Sequence, residues 1–211
     1  MALKKLDYEF YNRANVVQIA KSLISKVLVT KFDGVETSGR IVETEAYNGA
    51  VDRASHAWNS RRTARTEIMF GDAGMAYVYL CYGIHHLFNI VTNAKDTPHA
   101  VLIRALEPIN GIDTMLKRTG KKNLDKTLTS GPGNVSKALG IFTKHTGANL
   151  LDDMIFVADD GFKVNNNNIV ATPRIGVDYA GEDALLPYRF VLKGNIYVSG
   201  RNTNLTGFKN L

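Results

Sequence analysis

Residues 39–49 read GRIVETEAYNG. Ile41, Val42 and Ala46 between two glycines predict a strand. Glu43 and Glu45 nevertheless stand where a buried strand carries valine or isoleucine. Side chains alternate along a strand, so Ile41, Glu43, Glu45 and Tyr47 are expected on one face. A lone glutamate there is most simply an exposed edge residue. Two acids among apolar neighbours, followed by an aromatic, suit an acid/base site in a cleft. The period of two leaves Glu43 and Glu45 equally eligible.

Upstream, residues 13–27 (RANVVQIAKSLISKV) space Val16, Val17, Ala20, Leu23, Ile24 and Val27 as an amphipathic helix. The strand KVLVTKF follows, and Asp33-Gly34 marks a turn. Downstream, residues 51–69 predict a long irregular segment with short helical turns. Such connections are usually functional or disordered. MAYVYLCY and HLFNIVTN predict two strands joined at Gly83, and AVLIRALEP predicts another. GIDTMLKRTGK predicts a short helix. TSGPGNVSKALGI predicts a second, capped by Ser130 or Asn134. NIVATPRIGV and YRFVLKGNIYVSG predict late strands. Strand and helix do not alternate regularly, which favours an α+β fold with a mostly antiparallel sheet over a doubly wound one. The 211 residues, 45% of them hydrophobic, are expected to form a single domain over 1–211.

The formal net charge of +6 suits a polyanionic partner such as nucleic acid. Cys81 is the sole cysteine, so no internal disulfide can form. The five histidines have no zinc-binding spacing, and neither a phosphate-cradling glycine loop nor a GxSxG elbow is present. No metal or cofactor is expected. The first residues lack a signal-peptide core, and no apolar run reaches the length of a membrane span. These features predict a soluble intracellular protein without a membrane partner.

Three further features do not fit a plain sheet. Arg104 lies inside AVLIRALE, and if buried it needs an anion. A structural ion pair would satisfy it, as would Glu43 or Glu45 across a polar pocket. YVYLCYGIHH is unusually aromatic, with Tyr82 at the turn. Tyr82 could fold back on the core or stand out as a wedge between stacked bases. HAWNSRRTAR sets His56 near Arg61, Arg62 and Arg65, a spacing that suits phosphates or a solvated loop.

Five blocks, in order, resemble the alkyladenine (3-methyladenine) DNA glycosylase family. They are GRIVETEAYNGAVDRASHA, RTARTEIMFGDAGMAYVYLCYGIHHLFNIV, AVLIRALEP, LTSGPGNVSKALGI and PRIGVDYAGE. The similarity runs from about Phe10 to Ser199. It implies base-excision repair: a damaged purine is flipped out of duplex DNA and its N-glycosidic bond is hydrolysed without metal or Schiff base. It also implies a single mixed domain around a curved antiparallel sheet with a protruding β-hairpin. By resemblance Glu45 activates the attacking water, and Arg104 and the Ile175 carbonyl help to hold that water. Tyr47, His56 and Tyr79 wall the base pocket, and Asn89 opposes a guanine 2-amino group. Tyr82 fills the gap left by the flipped nucleotide, with Met69 beside it. The arginines Arg61 and Arg65 are expected on phosphates. The expected enzyme is a monofunctional monomer. A non-catalytic DNA damage binder and an RNA-binding domain are the competing readings, and the intact Glu45 and Arg104 argue against the first.

Overall fold

The computed structural model describes residues 3–200; residues 1–2 and 201–211 of the expected domain lie outside the described residues. A short strand β1 (Lys4–Lys5) and one helical turn α1 (Tyr8–Tyr11) precede helix α2 (Val16–Leu23). Asn15 caps α2 by accepting the Gln18 N–H, and Val16, Ile19, Ala20 and Leu23 form its buried stripe. The helix stops short of the predicted Val27. Ile24 is extended and Ser25 is left-handed, and Val27 already begins strand β2 (Val27–Phe32). Asp33 and Gly34, both left-handed, turn the chain into β3 (Val35–Tyr47).

Short 3-10 turns at Gly49–Val51, Trp58–Ser60 and Glu67–Phe70 punctuate the irregular segment. Strands β4 (Ala76–Cys81) and β5 (His85–Thr92) form the expected hairpin, and β6 (His99–Asn110) follows. Next come helices α3 (Ile112–Thr119) and α4 (Pro132–Leu139). Neither Ser130 nor Asn134 caps α4. Its N-cap is Gly131, and the Asn134 amide donates instead to the Ser130 carbonyl at 2.9 Å. Strand β7 (Ile155–Asp159), absent from the sequence expectation, pairs with β1 and β2. The last strands, β8 (Ile169–Thr172) and β9 (Arg189–Leu192), are shorter than predicted. Pro173, which has no N–H, ends β8, and a turn closed by the Asn195 N–H on Leu192 O ends β9. PRIGV is therefore a loop.

The nine-stranded sheet has the order β1-β7-β2-β3-β6-β5-β4, with β9 and then β8 joined to β3. All of these pairings are antiparallel, giving the α+β class. Ile19 and Leu23 of α2 and Val135 and Leu139 of α4 meet Ile41, Ile103 and Leu106 in the main core. The Thr44 hydroxyl donates to Ala20 O at 2.9 Å and ties β3 to α2.

Irregularities in the β3–β6 pairing decide where the acids go. Ile41 pairs with Leu106 and Glu43 with Ala105, which leaves Val42 bulged. Thr44 pairs with Ile103, which leaves Arg104 bulged on the other strand. The first bulge reverses the alternation of β3. Ile41 enters the main core, whereas Val42 packs with Ala105, Val191 and Val198 on the opposite side. Ile41 therefore does not share the face of Glu43, Glu45 and Tyr47, as strict alternation predicted. At the same point β3 exchanges its neighbour, from β2 along Val35–Arg40 to β9 along Glu43–Glu45.

Gly49 closes the decisive stretch at φ 56°, and a Cβ there would lie 2.8 Å from His99 Cδ2 and 3.0 Å from Pro98 O. Gly34 is also left-handed, but a Cβ there would meet nothing within 4 Å. Gly49→Ala is expected to cost roughly 1–3 kcal/mol more than Gly34→Ala, because overpacking adds to the backbone strain. The urea midpoints of the two variants test this.

Candidate active site

Glu43 and Glu45 are both fully buried, and Arg104, itself buried, lies between them. Arg104 Nε donates to Glu43 Oε1 at 2.9 Å and a terminal nitrogen donates to Glu45 Oε2 at 3.2 Å. Both partners proposed for Arg104 are thus its partners. Burial opposes the Arg104 charge, but Glu45 and Glu43 outweigh it and hold the guanidinium above its ordinary value.

The two carboxylates differ in the partners that hold them. A carboxylate has about four lone-pair positions. Glu43 accepts four hydrogen bonds, three of them on one oxygen. Its Oε1 accepts from Arg104, from Arg189 Nε at 2.7 Å and from the Ser199 hydroxyl at 2.9 Å, and its Oε2 accepts the Ser199 N–H at 2.6 Å. Glu45 accepts from Arg104, from the Tyr47 hydroxyl at 2.9 Å and from the Ile175 N–H at 2.8 Å. One position on Glu45 stays open. Burial, with the charge of Glu45, raises the Tyr47 hydroxyl well above its usual range, so it stays a donor.

A second buried ion pair fixes this corner. Arg174 grips Asp52 with two nitrogens at 2.6 and 2.8 Å and donates to Ala46 O at 2.9 Å. Its guanidinium also lies over the Tyr47 ring, 4.9 Å from the centroid. The clamp sets both the Tyr47 ring and the loop that delivers Ile175. Nothing in the sequence singled out Asp52 or Arg174, because either reads as an ordinary loop charge until the fold buries it.

Beyond Glu45 lies a narrow slot lined by Tyr47, His56, Met69, Tyr77, Tyr79, Asn89 and Tyr179. Its volume, about 30 Å³, is space for water rather than for a purine. The His56 and Tyr79 rings meet edge to face at 4.7 Å. His56 Nδ1 is hydrogen-bonded to the Tyr77 hydroxyl at 2.8 Å. The Asn89 amide donates to the carbonyls of Tyr77 and Leu87 at 3.1 and 3.2 Å. Tyr77 and Tyr179 were not among the expected pocket residues. Tyr77 lies on the same strand face as Tyr79, a signal the period of two carried. Tyr179 is 71% exposed yet lines the slot, with its hydroxyl 3.2 Å from Ala54 O.

Tyr82 stands at the hairpin tip, 90% exposed and left-handed at φ 51°. It does not fold back on the core. Met69, expected beside it, is only 2% exposed and packs with Tyr77, Phe70 and Ala57 in the slot wall. The exposed apolar neighbour of Tyr82 is Ile84, 72% exposed. The buried run before β4 draws Met69 inward, whereas Ile84 shares the three-residue loop with Tyr82. Arg61 and Arg65 are exposed near the slot. Arg65 lies over the Tyr79 ring at 4.9 Å, with a nitrogen 3.3 Å from His56 Nε2. Arg62 is instead paired with Glu67 and Asp96.

Among the described residues, no group of three or more His, Cys, Asp or Glu is arranged to hold a metal ion. No helix among them is long and apolar enough to cross a membrane.

Residues 9–196 match the model of the methylpurine-DNA glycosylase (MPG) family. A protein of Alkaliphilus oremlandii is 44% identical over 202 residues, covering 92% of this chain and 98% of its own. One from Bacillus cereus is 46% identical over 198 residues, covering 90% and 96%. One from Chlamydia felis is 45% identical over 188 residues, covering 89% and 95%. All three carry the provisional name 3-methyladenine DNA glycosylase. These matches define a DNA glycosylase, a hydrolase of N-glycosyl bonds. The chain belongs to the methylpurine-DNA glycosylase family.

Burial, with Arg65 and Arg61 nearby, pulls His56 down to about 4, so its ring is neutral at pH 7. Between pH 6.5 and 4 the unfolded chain binds this proton and the native chain does not. Native stability is therefore lost as pH falls through that window. His56→Gln is expected to flatten the fall of the melting temperature from pH 6.5 to 4, measured by circular dichroism.

Proposed function

We propose that the protein excises damaged purines, alkylated adenine and hypoxanthine or ethenoadenine, from duplex DNA by flipping the purine into the slot beside Glu45. A single domain acts as a monomer. The hydrogen bond that joins the buried Glu45 to Tyr47 of the slot wall, with a lone-pair position left on Glu45 Oε1, carries this reading. Glu43 is held by Arg104, Arg189 and Ser199, none of which lines the slot.

Glu45 accepts a proton from a water that attacks the sugar C1′. Arg104 and the Ile175 carbonyl hold that water, and the electrons of the broken N-glycosidic bond leave with the base. Glu45 also offsets the positive charge that develops on the sugar. A cationic alkylpurine leaves as a neutral base, so this route needs no proton donor. Tyr47, Tyr79 and His56 supply stacking and cation–π attraction of about 1 kcal/mol each. The neutral His56 adds no repulsion to a positively charged base.

Entry needs two movements. The slot must widen, with Tyr179 the exposed ring at its mouth. The extruded base must also be replaced in the stack. Extrusion costs a few kcal/mol and is cheapest at damaged pairs. Tyr82, with Ile84 beside it, fits as the wedge that offsets this cost. Asn89, its side chain fixed by two backbone carbonyls, clashes with a guanine 2-amino group. Arg61 and Arg65 contact phosphates. No lysine serves as nucleophile, so the enzyme is monofunctional.

Wild-type protein is expected to release the base from a duplex carrying one hypoxanthine or alkylated adenine. Glu45→Gln is expected to slow single-turnover release by about 10²- to 10⁴-fold with DNA binding retained. Release by the variant at the wild-type rate would sink the role given to Glu45. Tight lesion binding without release by wild type would favour a damage-binding protein.

A further inference from the structure

The slot is narrow and has Tyr179, an exposed ring, in its lining. Beside it lies a groove of about 540 Å³, and His56 and Tyr179 line both. The groove walls also carry Arg53, Trp58, Arg61 and Arg65. Arg53 and Arg61 make no ion pair among the described residues, and Arg65 lies against the Tyr79 ring. Trp58, the one tryptophan of the chain, is 49% exposed there. Its neighbour Ala57 is fully buried, while Asn59 and Ser60 are both left-handed, at φ 55° and 56°. Two such residues in succession cost on the order of 1–3 kcal/mol each. The chain thus keeps a large indole half out of the core next to free guanidinium groups. Arginines that track a backbone, with an aromatic face for a base, are the elements of single-strand recognition.

We propose that this groove is a nucleotide subsite. It takes the nucleotide adjoining the flipped purine on the same strand, its phosphates on Arg53, Arg61 and Arg65 and its unstacked base against the Trp58 indole. The subsite rests on the reading that the flipped base enters the neighbouring slot. Charge complementarity and the shared residues His56 and Tyr179 select this occupant. The subsite favours lesions whose flanking nucleotide is unpaired.

Trp58 is its own reporter. A single-stranded oligonucleotide with a stable abasic analogue at its centre, and the matching duplex, are titrated into the full-length protein. Anisotropy of a dye on the DNA gives occupancy while indole emission is followed. Emission is expected to fall by at least half as the single strand saturates. Trp58→Ala is expected to weaken single-strand binding roughly 5- to 150-fold, with Trp58→Phe nearer wild type. Arg61→Gln, which keeps the reporter, is expected to lower the salt dependence of binding by about one phosphate. Unchanged emission at saturation, or wild-type affinity in Trp58→Ala with an unaltered melting temperature, overturns the subsite. Base release without quenching would remove the subsite alone. Quenching without base release by wild type would remove the catalytic reading and leave the subsite standing.

Discussion

Arg104 between two buried carboxylates is the interaction on which the rest of the site depends. Two acids at zero exposure are tolerable only with cations and donors close by, since a buried unpaired charge costs several kcal/mol. Arg104 and Arg189 supply the charge, while Ser199, Tyr47 and the Ile175 amide supply the remaining donors. Each of these groups arrives from a different part of the chain. The network therefore fixes how β9, the PRIGV loop and residues 198–199 sit against β3. Such an ensemble gives one geometry rather than extra stability, because well-packed apolar residues could often fill the same space at no loss.

The division of labour between the acids follows from the sheet. A regular β3 would put Ile41 with the acids and leave them against a strand of constant register. The bulge at Val42 sends Ile41 into the core, and the bulge at Arg104 admits the guanidinium. Glu43 then lies against Arg189 and Ser199, whereas Glu45, two residues on, is bonded to Tyr47 of the slot wall. The different partners of the two carboxylates are what periodicity alone could not see.

Most of the elements were legible in the sequence. Asp33-Gly34, the tyrosine-rich hairpin and the β6 run each carried a local signal strong enough to survive folding. The losses have physical causes. Helix α2 was overextended because Ile24 and Val27 keep the helical spacing, though Ser25 turns left-handed between them. The strand assigned to PRIGV failed because Pro173 has no N–H and Arg174 is drawn to Asp52. In the site, the misfit residues Glu43, Glu45 and Arg104 stood out because a strand should not hold them. The Asp52–Arg174 clamp and Tyr179 did not, since a charge or tyrosine in a polar loop carries no anomaly. The burial of Met69 has a related reason: order along the chain says little about which side of a 3-10 turn faces solvent.

The Ser199 contact also has a temporal side. Glu43 receives the Ser199 amide across 156 residues of chain, the longest separation in the network. During synthesis the acids of β3 wait until Ser199 has been added before their last donors exist. A nascent chain that stops short of Ser199 thus carries an incomplete charge cage.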